Sequence, residues 1–345
     1  MKPLFYSDYL EGAHPRIMEA LSKTNMVQTP GYGEDEYCRK AADLIREACG
    51  QPEADIHFLV GGTQTNATVI SSILKPYQGA LCSDCGHIGV HETGAIEHGG
   101  HKVLPLPSKD AKITAGQILE ALEEHWNNPS RIHTIQPGMV YISFPTELGT
   151  IYTKAELEAI SDVCRKWDIP LFIDGARLGY GLTSPACDMT LKDIAALADV
   201  FYIGGTKQGA LFGEAVVITN DSIKADFRYN IKQNGGLLAK GRLLGIQFAT
   251  LFEDGLYFDI ARHANELAQK IKDTAAGHGM KIYGNSPTNQ VFLVVDNDKL
   301  DKLDESIGFE FWEKYDEKSS VIRICTSWAT TDSNVSILLD ALKNL

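Results

Sequence analysis

Short apolar runs separated by stretches of helical spacing constrain the fold of this chain most strongly. Five such runs occupy residues 55–60, 139–143, 170–174, 200–204 and 214–218. Each is largely apolar along its length rather than alternating, which is typical of strands in a sheet that helices cover on both faces. The sequence therefore predicts an α/β fold with a mainly parallel sheet.

The clearest helix signal covers residues 154–167. Its apolar residues recur at three- and four-residue spacings, and Thr153 is the predicted N-cap with Glu156 as its capping-box partner. Pro170 then ends the helical pattern. A strand, this helix and the next strand, in that order, predict a right-handed parallel crossover.

Further along the chain the pattern changes. A long helical stretch over residues 238–277 leads into strand-like runs at 290–295 and 321–325. This order predicts a smaller C-terminal α+β domain. The predicted domains are residues 1–225, an N-terminal arm with the large domain, and residues 226–345, the small domain.

Length and charge limit the possible functions. The 345 residues, 44% of them hydrophobic, suffice for a full core and about two domains. A net charge of −13 argues against nucleic acid and anionic membrane surfaces as partners. No run approaches the roughly 18 apolar residues of a membrane span, and no signal-peptide pattern opens the sequence, so a cytoplasmic protein is predicted.

The cysteines raise the question of a metal or redox site. There are seven, at irregular spacings, which does not fit a secreted disulfide framework and predicts reduced thiols. Cys82 and Cys85 form a CxxC pair with His87 nearby. A structural zinc site usually needs a second such pair, which is missing, so buried small side chains at a strand end are the favoured interpretation. No metal ligand is predicted.

Three polar groups follow predicted strands, where parallel sheets gather their ligands. The first is the segment 61–66, Gly-Gly-Thr-Gln-Thr-Asn, which opens an apparent helix at 67–75. Gly62 lets the backbone approach an anion, free helix N–H groups bind phosphate, and Thr63 and Thr65 could add hydroxyl donors. The same pattern also fits plain helix capping, and it is neither a P-loop nor a GxGxxG motif.

The second group is Asp174, followed by Gly175, Ala176 and Arg177. A carboxylate fixed at a strand end can pair with a pyridinium nitrogen, and Arg177 adds a charge to the same pocket. An Asp that merely caps a turn is the alternative.

The third group is Lys207, which lies among small residues after the run at 200–204. Burial lowers the pKa of an amine and makes it nucleophilic toward an aldehyde. An exposed loop lysine is the alternative.

Together these groups meet the needs of pyridoxal phosphate (PLP), which requires an amine, an anion cradle and a carboxylate. His87 follows a further probable strand and could stack on the cofactor ring. The sequence therefore predicts a PLP enzyme in which Lys207 carries the cofactor as a Schiff base.

With these residues assembled, the chain resembles the low-specificity threonine aldolases of the fold-type-I PLP family over nearly its whole length. The matching pieces are Ser7-Asp8, residues 32–35, Gly62-Thr63, Asn66, His87, residues 174–177, Lys207 and residues 321–323. The Asp-Gly-Ala-Arg segment, followed by the lysine, is the most specific of them. The resemblance implies an aspartate-aminotransferase-like large domain.

The resemblance also implies roles residue by residue. The cofactor would be held by Lys207 at its aldehyde, Asp174 at its nitrogen, Gly62 and Thr63 at its phosphate, His87 at its ring face and Arg177 at its phenolate side. Arg323 would bind the substrate carboxylate, a bidentate task suited to guanidinium, with Ser7 and Tyr32 as further substrate-binding residues. A surface ion pair is the alternative for Arg323, and its place inside an apolar strand argues against that.

Three segments depart from the family pattern. Glu147 stands where these aldolases usually carry a histidine, and it could accept the proton of a substrate β-hydroxyl if desolvation raised its pKa. Lys240, or else Arg242, replaces an arginine that reaches the phosphate in the family. His14 either enters the active site or merely precedes the first helix.

The predicted function is cleavage of a β-hydroxy amino acid, L-threonine or L-allo-threonine, to glycine and an aldehyde, with Lys207, His87 and Glu147 as catalytic residues. A related PLP-dependent β-eliminating lyase, racemase or transaminase acting on a small amino acid is the alternative. A PLP-binding protein without catalysis is a third hypothesis, which Ser7 and Arg323 argue against. The resemblance further implies a homodimer or homotetramer with sites shared between subunits.

Overall fold

The computed structural model describes residues 2–345. Its α-helices are α1 (Pro15–Thr24), α2 (Glu36–Cys49), α3 (Gly62–Ile73), α4 (His87–Val90), α5 (Ala95–His98), α6 (Ala115–Asn127), α7 (Lys154–Trp167), α8 (Leu178–Leu182), α9 (Leu191–Leu197), α10 (Asp221–Lys224), α11 (Phe227–Gln233), α12 (Arg242–Glu253), α13 (Leu256–Gly277), α14 (Leu300–Ser306) and α15 (Asp332–Lys343). Within this described range, every helix is too short or too polar to cross a membrane.

The strands form two sheets. They are β1 (Asp55–Leu59), β2 (Gln78–Ser83), β3 (Lys102–Leu106), β4 (Gln136–Ser143), β5 (Leu171–Asp174), β6 (Val200–Gly204), β7 (Glu214–Ile218), β8 (Lys281–Ile282), β9 (Gln290–Asp296), β10 (Glu310–Lys314) and β11 (Ser319–Cys325).

The large sheet has seven strands in the order β1-β7-β6-β5-β4-β2-β3. Strand β7 runs antiparallel to both of its neighbours, and the remaining neighbouring pairs are parallel. Strands β1, β5 and β6 consequently point the same way, and their carboxyl ends meet at one edge of the sheet. The predicted mainly parallel α/β sheet is confirmed.

Helix α7 forms as its sequence predicts. The Thr153 hydroxyl accepts from the Glu156 N–H at 3.2 Å, and the Glu156 carboxylate accepts from the Thr153 N–H at 2.8 Å. The helix joins β4 to β5, which pair in parallel. Its buried face, which includes Leu157 and Ile160, packs in the main core.

Two helix predictions were wrong in their bounds. The stretch predicted at 238–277 is divided into α12 and α13, because Gly255 adopts a left-handed conformation with φ of 72° that breaks the helix. The helix predicted at 67–75 begins five residues earlier, at Gly62, because Gly61 is extended and serves as its N-cap.

The small sheet has the order β10-β11-β9-β8 with antiparallel pairing, and it shares a second core with α13 and α15. The predicted smaller C-terminal α+β unit is confirmed. The N-terminal segment lies against this unit, since the N–H of Phe5 donates to Gly308 O at 2.7 Å and the N–H of Cys325 donates to Phe5 O at 2.9 Å. The predicted boundary near residue 225 falls between α10 and α11 and stays a prediction.

Candidate active site

A cavity of about 280 Å³ lies at the edge of the large sheet where β1, β5 and β6 end. Its lining includes seven of the residues that the sequence singles out: Gly62, Thr63, His87, Glu147, Asp174, Arg177 and Lys207. They come from distant parts of the chain, and the shared direction of the strands brings them to the same edge. The cavity is therefore the candidate active site.

Lys207 lies in the loop after β6. Burial lowers the pKa of its amine, and the Arg177 guanidinium lowers it further. Within residues 2–345 the Nζ atom forms no ion pair, and it lies 6.0 Å from the centre of the Tyr9 ring. The Tyr180 hydroxyl donates to the Lys207 carbonyl oxygen and fixes the backbone at this position. The amine is thus held partly desolvated, as a nucleophile requires.

Asp174 is a buried carboxylate surrounded by donors. It accepts from the Tyr141 hydroxyl at 2.6 Å, the Asn66 amide at 3.0 Å and the Ala176 N–H at 3.0 Å, and also from the Tyr202 hydroxyl. Burial raises the pKa of Asp174, but the neighbouring His87 imidazole and the hydroxyl donors outweigh it and hold the pKa below the usual value. Asp174 is therefore ionised, as a partner for a pyridinium nitrogen must be.

Small residues let β5 and β6 approach each other at this edge. A Cβ atom on Gly175 would lie 1.9 Å from Tyr202 O, and one on Gly204 would lie 2.2 Å from Ala176 O. The Gly204 N–H instead donates to Gly175 O at 2.9 Å. This close approach holds the end of β5, with Asp174, against the end of β6, which leads to Lys207.

A buried network fixes His87. Its Nδ1 lies 2.8 Å from Glu92 Oε1, and the Glu92 side chain is fully buried. Asn66 Nδ2 donates both to Glu92 Oε1 at 2.7 Å and to Asp174 Oδ2 at 3.0 Å. If His87 is neutral, donation from Nδ1 leaves Nε2 as its acceptor atom. The sequence reasoning missed Glu92, because an isolated glutamate five residues after a histidine carries no sign of burial.

Glu147 reaches the same histidine from the loop after β4. Its Oε1 accepts from the His87 N–H at 2.8 Å and from the Ser143 hydroxyl at 2.7 Å. Burial nevertheless raises the pKa of Glu147 above its usual value, and the negative charge of Asp174 acts in the same direction. Two carboxylates in one cavity therefore have opposite pKa shifts.

The start of α3 supplies the anion cradle. Gly61 has no side chain to cap the helix, so the first N–H groups of α3 are left to bind an anion at the cavity. Thr63 is exposed there. The suggestion that Thr65 adds a donor was wrong, because its buried hydroxyl donates to Gly61 O at 3.0 Å.

Two further polar residues line the cavity beside Lys207. The Thr206 hydroxyl lies 2.9 Å from Glu214 Oε1, and the Glu214 side chain is 3% exposed. Glu214 carries no signal in the sequence, since it opens an apolar strand and resembles a polar residue at a turn.

Arg177 forms a bidentate ion pair with Asp8. Its Nε lies 2.7 Å from Asp8 Oδ2 and its Nη2 lies 3.0 Å from Asp8 Oδ1. Asn289 Nδ2 donates to the same Oδ2 at 2.9 Å. Burial raises the pKa of Asp8, but Arg177 and Lys207 outweigh it and lower the pKa overall. Asp8 is a site residue to which the sequence reasoning gave no separate role.

Arg323 and Ser7 are buried but do not line this cavity. Arg323 Nη2 donates to Glu310 Oε2 at 3.1 Å and to Tyr6 O at 3.3 Å. Arg323 does pair with Glu310, but the arginine is only 9% exposed, so its end of the ion pair is buried. Ser7 lies between Tyr6 and Asp8 in the segment that joins Arg323 to Arg177.

Tyr32 and Lys240 lie outside the cavity of their own chain. Tyr32 is 46% exposed, and the centre of its ring lies 5.0 Å from Lys232 Nζ. Lys240 is also exposed and lines a different groove. Arg242 uses its guanidinium on the carbonyl groups of Val27 and Thr24. His14 is the N-cap of α1, so it precedes the first helix rather than lining the cavity.

The chain matches a family model described as beta-eliminating lyase over residues 5–298. The chain belongs to the beta-eliminating lyase family. Similar proteins include a low specificity L-threonine aldolase of Pseudomonas sp. (strain NCIMB 10558), which is 32% identical over 96% of this chain and 94% of the relative.

Solved structures agree with this family. A Leishmania major threonine aldolase superposes with a TM-score of 0.96 at 44% identity, over 99% of each chain. An aspartate aminotransferase mutant of Thermus thermophilus has a TM-score of 0.69 at 15% identity, over 100% of this chain and 97% of the other, which shows the shared fold.

Membership of the beta-eliminating lyase family makes this chain a PLP-dependent lyase, and the cavity fits the cofactor. Lys207 offers an amine without an ion-pair partner in the described chain, and Asp174 offers an ionised carboxylate. The N–H groups at the start of α3 offer the anion cradle. The three requirements derived from the sequence are met in one cavity.

Proposed function

We propose that this protein is a PLP-dependent aldolase that cleaves L-threonine or L-allo-threonine to glycine and an aldehyde. The observation that carries the proposal is the cavity that combines Lys207, Asp174 and the paired Glu147 and His87. Relatives named L-threonine aldolase cover nearly the whole chain, which supports the same activity.

When bound, the cofactor supplies an electron-withdrawing ring that stabilises negative charge on the substrate Cα. Asp174 would favour the protonated ring nitrogen, and Lys207 would provide the amine that the substrate amine replaces. Glu147 would accept the β-hydroxyl proton as the Cα–Cβ bond breaks and the aldehyde leaves, and Cα would then take one proton from solvent to give glycine. His87, oriented by Glu92, would cover the ring face as the second candidate acceptor.

Substrate orientation would depend on the N-terminal segment. Tyr6 O accepts from Arg323, Asp8 accepts from Arg177, and the Tyr9 ring faces Lys207. Arg323 would bind the substrate carboxylate in place of Glu310, whose side chain is 44% exposed. Ser7 would assist from the same segment.

The proposal extends to assembly and location. Tyr32 and Lys240 would contribute to the cavity of a second subunit in a homodimer or homotetramer, since neither lines its own. Residues 1–225 and 226–345 would form the two domains. The protein would act in the cytoplasm on a small amino acid.

The test is absorbance of the purified protein together with aldehyde release. We expect a visible cofactor band in the wild-type protein, its loss in Lys207→Ala, and its retention in Lys75→Ala, a control on an exposed lysine. The wild type should release an aldehyde and glycine from threonine, allo-threonine or phenylserine.

Other products would point elsewhere. Pyruvate with ammonia would indicate β-elimination, and bound cofactor without turnover of any β-hydroxy amino acid would indicate a non-catalytic protein. A colourless wild-type protein that takes up no PLP would refute the whole proposal.

A further inference from the structure

Glu214 is a buried carboxyl group in the cavity that the proposed chemistry does not use. It is the first residue of β7, and because β7 runs against its neighbours, its beginning lies where β1 and β6 end. Register places Glu214 opposite Leu59 on one side and Gly204 on the other. The carboxyl group therefore lies between the start of the anion cradle and the Lys207 loop.

The hydrogen bonds around Glu214 leave the hydroxyl proton of Thr206 with two possible acceptors, Glu214 or a group in the cavity. Glu214 Oε2 accepts from the Gly205 N–H at 3.0 Å, and Oε1 lies 2.9 Å from Thr206 Oγ1. Thr206 Oγ1 itself accepts from the Gly213 N–H at 2.9 Å. A hydroxyl has one proton and two acceptor positions. Thr206 thus has one proton and one acceptor position left.

The protonation state of Glu214 decides how they are used. An ionised Glu214 accepts the Thr206 proton, which withdraws the Thr206 hydroxyl as a donor to the cavity and adds a negative charge beside it. A protonated Glu214 donates to Thr206 Oγ1 and releases the Thr206 proton. Gly213 O lies 3.5 Å from Thr206 Oγ1, which is long for a hydroxyl hydrogen bond, so a closer acceptor in the cavity can take that proton. Only the second arrangement suits a phosphate group.

Neighbouring charges set the balance. Burial raises the pKa of Glu214, and the negative Asp174 acts in the same direction. The hydrogen bonds from Thr206 and Gly205 and the positive Lys207 lower the pKa, and the net value is about 8. The phenol groups of Tyr202 and Tyr257 also face the Glu214 carboxyl group, and they are neutral because burial raises the pKa of each. At neutral pH the protonated arrangement dominates.

We propose that Glu214 is a positioning residue whose proton turns the Thr206 hydroxyl toward the anion cradle, so that binding of the cofactor phosphate is coupled to protonation of Glu214. The inference rests on the cofactor of the proposed function and not on threonine cleavage. It also assigns Thr206 as a donor to the phosphate.

The coupling has a defined sign. Below about pH 8 Glu214 already carries its proton, so the phosphate contribution to affinity is constant. Above that pH, a proton must return to Glu214 when the phosphate binds, and the phosphate contribution to affinity falls by up to about tenfold per pH unit. The phosphate itself stays a dianion over this range, because its second pKa is about 6.

The experiment measures dissociation constants of PLP and of pyridoxal, which lacks the phosphate, between pH 7 and 9.5 on the full chain freed of cofactor. Their ratio isolates the phosphate contribution from the titration of Lys207, which both compounds share. In the wild type we expect the ratio of the pyridoxal constant to the PLP constant to fall above pH 8. In Glu214→Gln, whose amide imitates the protonated carboxyl at every pH, we expect a flat ratio.

Three further variants test the role of the Thr206 hydroxyl and control for the change of charge. Thr206→Val should reduce the phosphate contribution and weaken its pH dependence, whereas Thr206→Ser should keep both. Glu253→Gln, a surface change of the same kind, should behave as the wild type. Calorimetry at pH 9 in two buffers should show more proton uptake on binding of PLP than of pyridoxal in the wild type, and equal uptake for the two compounds in Glu214→Gln.

A pH-independent ratio in the wild type, or the same slope in Thr206→Val as in the wild type, would overturn the inference and leave threonine cleavage untouched. Failure of the wild type to bind PLP would overturn both proposals. Binding of PLP with the expected slope but without aldol cleavage would support this inference and refute only the proposed reaction.

Discussion

At the scale of single residues, the cavity separates two carboxyl groups by their surroundings. Asp174 accepts from four donors and keeps a lowered pKa, whereas Glu147 accepts from two donors and has a raised pKa. Because the acidic residue with the higher pKa is the better proton acceptor, Glu147 suits acid–base work and Asp174 suits permanent charge. The position that departs from the family pattern is thus occupied by a group with the properties that the chemistry requires.

Glu147→Gln should lower kcat/KM for threonine by about 100-fold or more, because the amide cannot accept the hydroxyl proton. The base must be ionised, so activity of the wild type should rise with pH through a pKa above the ordinary glutamate value of about 4.3. Steady-state kinetics across pH measure both effects. Glu158→Gln, on the exposed face of α7, is the control. Unchanged cleavage by Glu147→Gln would assign the proton to another acceptor, with His87 as the next candidate.

At the scale of elements, the site depends on how closely β5 and β6 approach. The backbone at Gly175 leaves no room for even a methyl group against Tyr202 O. Main-chain packing at the two strand ends consequently sets the backbone positions of Asp174 and Lys207.

Gly175→Ala should destabilise the protein by several kcal/mol and weaken cofactor binding, because the strands must separate to admit the Cβ atom. Thermal unfolding and PLP titration measure the two effects. Gly116→Ala is the matched control: its Cβ meets only Thr114 Oγ1 at 3.8 Å, so its stability should be equal to or higher than that of the wild type. Equal melting temperatures for Gly175→Ala and the wild type would contradict this account of the strand ends.

At the scale of the whole molecule, the N-terminal segment joins the two sheets. Asp8 accepts from Arg177, which follows β5 of the large sheet, and from Asn289, which precedes β9 of the small sheet. Its pKa is lowered in the folded protein, so its contribution to stability is present above its unfolded pKa and is lost as pH falls through the folded value.

Asp8→Asn should destabilise the protein by about 3–5 kcal/mol at pH 7, because it leaves Arg177 buried without its partner. The difference in melting temperature from the wild type should shrink below about pH 4, the ordinary pKa of an unfolded aspartate, as the pH falls toward the lowered pKa of the folded protein. Asp254→Asn, which breaks the exposed pair with Arg16, should change stability by at most about 1 kcal/mol. If Asp8→Asn lowered the stability by no more than Asp254→Asn does, the buried pair would not hold the two sheets together.

Much of the fold and part of the site follow from the sequence, because they depend on local patterns. The apolar runs and the Thr153 cap are signals within one element, and the direction of parallel strands then places Asp174 and Lys207 at one edge. The helix predicted over 238–277 was wrong because helical spacing continues on both sides of Gly255, and a single glycine does not show whether a helix breaks.

The rest of the site depends on contacts that no local pattern contains. Glu92 and Glu214 are buried by tertiary packing, so in the sequence they resemble surface glutamates. Tyr32 and Lys240 entered through family resemblance, and neither lines the cavity of its own chain.

The contacts around the cavity also differ in how much chain they enclose. Thr206 and Glu214 are 8 residues apart, whereas Asp8 and Arg177 are 169 residues apart. Closing a short loop costs little chain entropy, and closing a long one is slow. The turn that carries Lys207 can therefore assemble early during folding, and the N-terminal segment docks only after both sheets exist, so the finished cavity is among the last parts of the molecule to form.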